Sequence, residues 1–331
     1  YGDDSMQQEM KYIYMVYQKG SFSKAAQALY MTQPALSIAV QRVENEIGMP
    51  IFRRDHQPLE LTEAGRVYIA KIQEIQFLEY QLEQQLGDLS QLKTGRLRLG
   101  GSHYLNSYVL PPVLAAYREK WPGIRLELKE ASSAELLPML KDNLIDLTFT
   151  VSSSAKDPFY RISAFEDRVL LAVPASLPVN GRLAAHAMTA SDVLKGVHLT
   201  EAVPAADIAC FSDTPFLLLT PGNNLYSRAV SIFQDRGVTP PVVMEVSQLV
   251  TAFHLCGAGL GATFISDRLV TVPDDRVLYY RLDSPLTSRH FDIVIPGKTY
   301  VSVAQKAFVE LFTGYYQPAG SGTAPKGETP S

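Results

Sequence analysis

Residues 21–52 read Ser-Phe-Ser-Lys-Ala-Ala-Gln-Ala-Leu-Tyr-Met-Thr-Gln-Pro-Ala-Leu-Ser, then Ile-Ala-Val-Gln-Arg-Val-Glu-Asn-Glu-Ile-Gly-Met-Pro-Ile-Phe. No other stretch restricts the fold as much. It holds two short amphipathic segments joined by a tight turn. Leu36, Val40, Val43 and Ile47 recur at i, i+4, i+7 and i+11, so a helix aligns them on one buried stripe. Thr32 is a good N-cap, and Pro34 falls in the first turn, where a missing N–H costs little. The other side presents Gln33, Pro34, Ser37, Ile38 and Gln41, with Ala35 at the helix start and Arg42 late in it. Ala25, Ala26 and Ala28 let the preceding helix approach closely. This is the outline of a helix-turn-helix, whose second helix contacts base edges and phosphates of DNA. A helical hairpin inside a core has the same outline.

A resemblance separates the two. The block is similar in spacing and residues to the N-terminal DNA-binding domain of LysR-type transcriptional regulators. The matching parts are Gly20-Ser21-Phe22-Ser23, Ala25-Ala26, Gln33-Pro34-Ala35-Leu36-Ser37, Glu46-Ile47-Gly48, Pro50-Ile51-Phe52 and Leu61-Thr62-Glu63-Ala64-Gly65. One departure follows Ser37: the family usually places a basic or polar residue there, and this chain has Ile38-Ala39. The resemblance implies double-stranded operator DNA as partner, contacted by Thr32, Gln33, Pro34, Ala35, Ser37, Ile38, Gln41 and Arg42.

Charge neither supports nor excludes this. The net charge is −4 over 331 residues, and an acidic total works against phosphate contacts, but local placement matters more than the sum. Arg53 and Arg54 open the segment to Leu61, which reads as a short hairpin wing able to lie along a phosphate backbone. A solvated pair is the other reading of these arginines, and the resemblance favours phosphate contact. The 46% hydrophobic content suffices for two or three globular units. No apolar stretch approaches membrane-spanning length, no secretory signal is visible, and two distant cysteines form no disulfide framework, so a cytoplasmic location is expected. Tyr1-Gly2-Asp3-Asp4-Ser5 precedes Met6 and is expected to lie outside the fold. The Gly-, Pro-, Ser- and Thr-rich tail 317–331 is expected to be disordered.

Thr62 can cap a long helix, and Glu63 suits its positive end. The run reaches about Leu86 without proline, roughly 37 Å. Tyr68, Ile75, Leu82 and Leu89 recur every seven residues, Ile72 and Leu86 extend the stripe, and Glu79 breaks it. A heptad stripe needs a partner helix, and dimerisation is preferred over packing on the chain's own DNA unit. A two-fold dimer sets two recognition helices on successive turns of one DNA face. The family's linker helix implies the same homodimer, commonly assembled into a homotetramer, and RNA polymerase is a further candidate partner for such a regulator.

After Lys93-Thr94-Gly95 strands alternate with helices, which predicts a parallel sheet of βα units. Strands are expected near 96–100, 125–129 and 147–151, then 169–173, 216–219 and 242–246. Helices are expected near 108–119, 134–141 (with Pro138 inside), 225–234 and 248–256. Strands 277–281 and 291–295 and a helix after Ser302 return to the first set, and crossovers near 150–154 and 265–267 act as hinges. Leu110-Pro111-Pro112, Trp121-Pro122, Ile145-Asp146-Leu147, Val173-Pro174, Pro221-Gly222 and Gly257-Ala258-Gly259-Leu260-Gly261 resemble, in order, the family's two-lobed effector domain, built like periplasmic solute-binding proteins. Residues 180–212 fit that pattern poorly. The predicted class is therefore α/β: a winged helix-turn-helix (6–61), a linker and dimerisation helix (62–92) and a two-lobed effector domain of the periplasmic-binding-protein type (95–316). Lobe I takes about 95–155 and 268–316, and lobe II about 160–267.

Open α/β lobes bind ligands where strands end and helices begin, because helix N-termini attract anions. The first such junction holds Ser102, His103 and Tyr104; the second holds Ser132 and Ser133. The serines are candidate hydroxyl donors, though each also suits an N-cap, and His103 also suits a solvated loop. Thr200, Ser247 and Phe264 are candidate walls of the second lobe. Pro221-Gly222-Asn223-Asn224 reads as a structural turn in preference to an anion nest. A small carboxylate fits such a hydroxyl-lined cleft.

Other classes fit less well. The glycines at 257–261 follow a helix and precede a strand, the reverse of a dinucleotide fingerprint, and neither metal-ligand spacing nor a Gly-x-Ser-x-Gly nucleophile motif occurs. No enzyme activity, cofactor or metal is expected. A redox-sensing regulator using Cys210 and Cys256, or a solute-binding protein without DNA function, are the alternatives. Ligand binding is expected to shift the population of lobe arrangements and so the seating of paired DNA units on a bent operator.

Overall fold

The computed structural model describes residues 3–53, 59–89, 94–152, 159–297 and 300–316, and two compact units, Tyr1–Gln85 and Leu86–Ser331, divide the chain. The first opens with α1 (Asp3–Lys19), which begins inside the leader that the sequence reading set aside. The turn motif follows as α2 (Phe22–Ala28) and α3 (Gln33–Ile47). Thr32 caps α3, its Oγ1 accepting the Ala35 N–H at 3.4 Å, and Pro34 sits in the first turn. Gly48 ends α3 with φ at 71°, a left-handed conformation that glycine adopts without strain. Leu36, Val40 and Val43 are buried as the periodicity predicts, with Ile13, Val16, Ala25, Ala26, Ile51, Phe52, Ile69 and Ile72 completing one core. Burying each large side chain contributes about 1.5–3 kcal/mol.

The wing forms. β1 (Phe52–Arg53) pairs antiparallel with β2 (Glu60–Leu61), Phe52 opposite Leu61. Its tip, with Arg54, lies outside the described residues. Thr62 then joins wing and long helix: its hydroxyl donates to the Pro50 carbonyl at 2.6 Å and accepts the Gly65 N–H at 2.9 Å. Gly65 is there because the chain must pass close, since a Cβ would stand 2.1 Å from the Ile51 carbonyl oxygen. The helix α4 (Glu63–Leu89) has 27 residues and runs on through Gly87 rather than stopping at Leu86.

The second unit begins with β3 (Gly95–Gly101), a π-helical turn Leu105–Val109, α5 (Leu110–Lys120), β4 (Ile124–Glu130), α6 (Ser133–Lys141) and β5 (Leu147–Val151). A 16-residue strand, β6 (Phe159–Pro174), leads to α7 (Val179–Arg182), α8 (Ala190–Leu194), β7 (Phe216–Leu219), α9 (Asn224–Asp235), β8 (Val242–Val246) and α10 (Leu249–Gly257). Then come β9 (Thr263–Ser266), β10 (Val277–Tyr280), β11 (Ser288–Pro296) and α11 (Val303–Tyr316). Pro138 is accommodated in the second turn of a helix that starts only at Ser133. Residues 180–212, which fit no βα pattern, form α7, α8 and short helical turns.

Strand order is β10-β6-β11-β5-β3-β4, with β9 also on β6, while β7 and β8 form a separate parallel pair. The expected parallel sheet is therefore corrected to a mixed one. β3 is parallel to β4 and β5, but β11 and β6 run antiparallel. The cause is the length of β6. Its Phe159–Arg168 stretch pairs with β11, and Val169–Pro174 pairs with β9 and β10. β6 thus carries the chain from the first half to the second, and β11, which brings it back, lies antiparallel beside β6 and β5. β10 belongs to the second half, opposite Leu171–Pro174, and not to the first as the sequence reading had it. The chain crosses between halves within β6 and again between β10 and β11. The expected hinges are displaced: Thr150 and Val151 lie in β5, and Ile265 and Ser266 in β9.

A buried polar hub marks the crossing. Arg289 at the start of β11 clamps Asp167 of β6 through two bonds, Nε–Oδ1 being 2.7 Å, and both side chains are buried. The Tyr104 hydroxyl donates to Asp167 at 2.9 Å, and Ser266 Oγ donates to the same carboxylate at 2.8 Å. Next to it Asp267 accepts the Arg168 N–H and the His198 Nε2 contact at 3.0 Å. Burial alone raises the Asp267 carboxyl, but His198 and that N–H outweigh it and hold the pKa below its ordinary value. Burial and Asp167 push the Tyr104 phenol well up, so it stays a donor.

Candidate DNA-reading face and ligand cleft

Because α3 turns its aliphatic stripe inward, the opposite face is left to solvent. Thr32, Gln33, Pro34, Ala35, Ile38, Gln41 and Arg42 are exposed, and Ser37 is half-buried. At 67% exposure, Ile38 holds an apolar centre in that face. Arg42 differs from its expected role: its guanidinium pairs with the nearly buried Glu9 of α1, which ties α1 to α3 instead of leaving a free cation. Its pKa is raised by the same Glu9 bond. Arg53 is exposed on β1. Sequence reasoning passed over Tyr30, in the turn before α3. It is 98% exposed, with φ at +54°, a conformation bulky residues rarely hold. A tyrosine where asparagine or glycine is easier was the available signal.

The long helix corrects two expected dimerisation residues. Ile72 is buried in the N-terminal core, and Tyr68 packs against it. Straight α-helices drift from a seven-residue repeat, so the first turns of α4 close the DNA unit's own core and cannot also face a partner. The apolar row left exposed is Ile75, Leu78, Leu82, Leu86 and Leu89, with spacings of three and four. Strict counting in sevens missed Leu78.

The predicted ligand residues partly converge. Two adjoining cavities share Ser102, Ser133, Asn223 and Gln248 in their lining. The outer, about 440 Å³, also holds His103, Glu130, Ser132, Glu135 and Ser247. The inner, about 70 Å³, is walled by Tyr104, Leu105, Phe149, Leu225, Leu249, Arg289 and Phe291. Ser102 follows the last residue of β3, and Ser133 opens α6. Ser132 is committed to a capping box, its hydroxyl 2.6 Å and its N–H 2.9 Å from Glu135. Those bonds hold the Glu135 carboxyl below its ordinary value. His103 Nδ1 lies 3.2 Å from Glu130 Oε2. Tyr104 offers only its ring, because its hydroxyl is held by the hub.

Two expected walls are corrected. Phe264 is buried in the second half, packed on Phe216 and Phe233, since β9 turns it into the core. Thr200 is exposed at the end of a short helical turn, its hydroxyl bonded to the Val197 carbonyl, and lines neither cavity. Their places are taken by Asn223, Asn224, Gln248 and Arg289. Asn223 caps α9, accepting the Leu225 N–H at 2.9 Å, and the Pro221-Gly222-Asn223-Asn224 run was its signal. A lone arginine in a strand gave no such signal for Arg289.

Among the described residues no group of three or more His, Cys, Asp or Glu is placed to hold a metal, and no helix is long and apolar enough to cross a membrane. Cys210 and Cys256 are free thiols; burial pushes Cys256 up to about 12, which withholds the reactive thiolate and disfavours the redox reading.

Two family models together match most of the chain. Residues 7–66 match the family model for the bacterial regulatory helix-turn-helix protein of the lysR family, and 90–317 match the LysR substrate binding domain. An uncharacterised HTH-type transcriptional regulator of Bacillus subtilis (strain 168), YcgK, is 28% identical over 305 residues, 91% of this chain and 92% of its own. Full-length CbnR complexed with its target DNA has a similar fold, with a TM-score of 0.65 at 17% identity over 92% of this chain and 98% of that one. The effector binding domain of BenM with its effector benzoate gives a TM-score of 0.56 at 21% identity, covering 71% and 98%.

Proposed function

The chain belongs to the LysR family of bacterial transcriptional regulators, and from that premise we propose which of its residues contact operator DNA, effector and partner subunit. Gln33 and Ser37 contact base edges, helped by the exposed Pro34, Ile38 and Gln41 and by the start of α3 at Thr32 and Ala35. Arg53, Arg54 and Tyr30 contact the phosphate backbone. The observation that carries this reading is a capped, well-packed α3 that buries its aliphatic stripe and leaves Gln33, Pro34, Ile38 and Gln41 exposed on the other side.

The DNA-binding domain spans 6–61, the linker helix 62–92 and the effector domain 95–316, with Val277–Tyr280 placed in lobe II. Ile75, Leu78, Leu82, Leu86 and Leu89 form the seam of a homodimer, and dimers pair into tetramers, as a heptad-like row on a long helix favours. CbnR, a structural neighbour, is described with its target DNA, and BenM with an effector; by analogy a small molecule in the Ser102–Ser133 cleft shifts the lobe equilibrium by its differential affinity. The regulator acts in the cytoplasm, where its operator lies.

Affinity selection of genomic fragments tests the assignment. Enrichment of one partly palindromic site, lost in a Gln33→Ala/Ser37→Ala variant that remains folded and dimeric, is the expected result. An enriched site that the variant binds equally well would overturn the reading face.

A further inference from the structure

The side of α3 assigned to base contacts holds one side chain that hydrogen bonding does not explain. Ile38 is 67% exposed, while the other large apolar residues of the helix, Leu36, Val40, Val43 and Ile47, lie in or against the core. Residues four apart are neighbours on a helix, so two rows run side by side along this face. Gln33, Ser37 and Gln41 make a polar row; Pro34, Ile38 and Arg42 make the second. The second row ends in the Arg42–Glu9 pair, which ties it back to α1. Ile38 therefore stands in the middle of the exposed face and takes no part in the core of its unit.

Charge narrows what such a face can read. From Gln33 to Gln41 the helix has no ionisable side chain, and the guanidinium that follows is held by Glu9. Arginine and lysine make the usual bidentate contact to guanine O6 and N7, so these turns lack it. The carboxamides of Gln33 and Gln41 match adenine N6 and N7 instead. Ile38 can bond neither a phosphate nor a base nitrogen, and pressed against either it would strip water and return nothing. The major groove exposes one apolar group on its base edges, the C5 methyl of thymine.

We infer that Ile38 is a specificity-determining residue that reads the C5 methyl of a thymine in each operator half-site. The inference rests on the reading face proposed above and names the base that its centre selects. Burying one methyl group changes affinity about fourfold. Two half-sites under a dimer multiply this to about fifteenfold.

Replacing thymine by deoxyuracil deletes the methyl and keeps base pairing and charge. The enriched operator is synthesised with deoxyuracil at one thymine of each half-site in turn. Its Kd is then measured at fixed salt for the full-length wild-type and Ile38→Ala proteins. One position is expected to weaken the wild type about fifteenfold and to leave Ile38→Ala unaffected. Alanine suits an exposed helix position at least as well as isoleucine, so the variant's melting temperature should not fall. If no position weakens the wild type, or one weakens both proteins equally, Ile38 reads no methyl and the inference is overturned. The reading face itself fails on a different result, unchanged operator binding by Gln33→Ala/Ser37→Ala. Loss of binding in that variant without any deoxyuracil effect in the wild type overturns the role of Ile38 alone.

Discussion

Between Tyr30 and Arg53 the first unit holds every described residue of its proposed reading face, whereas the cleft gathers Ser102, Ser133, Asn223, Gln248 and Arg289 from across the second unit. The reading face is one side of one helix, set by a cap, a proline and an aliphatic stripe. The cleft exists only once two halves joined through β6 have packed, and its position depends on the hub at their crossing. Local order holds the first site; burial and charge pairing at long range hold the second.

If that contrast is right, the largest single effect falls on the hub. Arg289→Ala strands Asp167 in the interior, which costs about 3–5 kcal/mol. The only tryptophan, Trp121, lies in the second unit, so its fluorescence in urea reports that unit's transition. A loss below about 1 kcal/mol would mean that the hub does not hold the halves. Gly65→Ala is the counterpart in the first unit. A Cβ 2.1 Å from a backbone carbonyl forces α4 away from Ile51, at about 1–3 kcal/mol or more. Circular dichroism should show an early transition while the Trp121 signal stays in place; movement of both would break the comparison by coupling the units.

The reading face should lose function without losing stability. Gln33→Ala/Ser37→Ala is expected to cost about 1–3 kcal/mol per base contact removed, measured as operator affinity at fixed salt, with an unchanged melting temperature. The smallest effect is on pH dependence. The folded pKa of Asp267 lies below its unfolded value, so its stabilisation is present above the unfolded value of about 3.9 and is lost as pH falls through the folded value. Asp267→Asn should flatten the acid limb of the second unit's stability curve below about pH 4 and leave the first unit's unchanged.

What was readable follows the same division. Thr32, Pro34 and Gly48 each act through neighbours within a few residues, and the helix they bound appears where their spacing puts it. The strands Leu147–Val151, Phe216–Leu219 and Val242–Val246 were equally legible as short apolar runs. Their partners were not. Nothing local to Val277–Tyr280 says that it joins β6, and nothing local to Phe264 says that it faces the core. Arg42 reads as a free cation in the sequence because its partner Glu9 lies a helix away. Ile72 looked like a dimer contact because a heptad count does not show that α4 must first close the core beneath it.

From sequence alone came the helix-turn-helix, its wing and the long helix, carried by periodicity, caps and turn residues, and, through resemblance to the family, the two-lobed α/β class with Ser102 and Ser133 at strand-to-helix junctions. Only the tertiary structure decided the antiparallel course of β6 and β11, the exposed row on α4, the hub around Asp167 and the second-half wall of the cleft. The hub's bonds join residues 63 and 122 positions apart, a range at which side-chain periodicity carries no information about the partner.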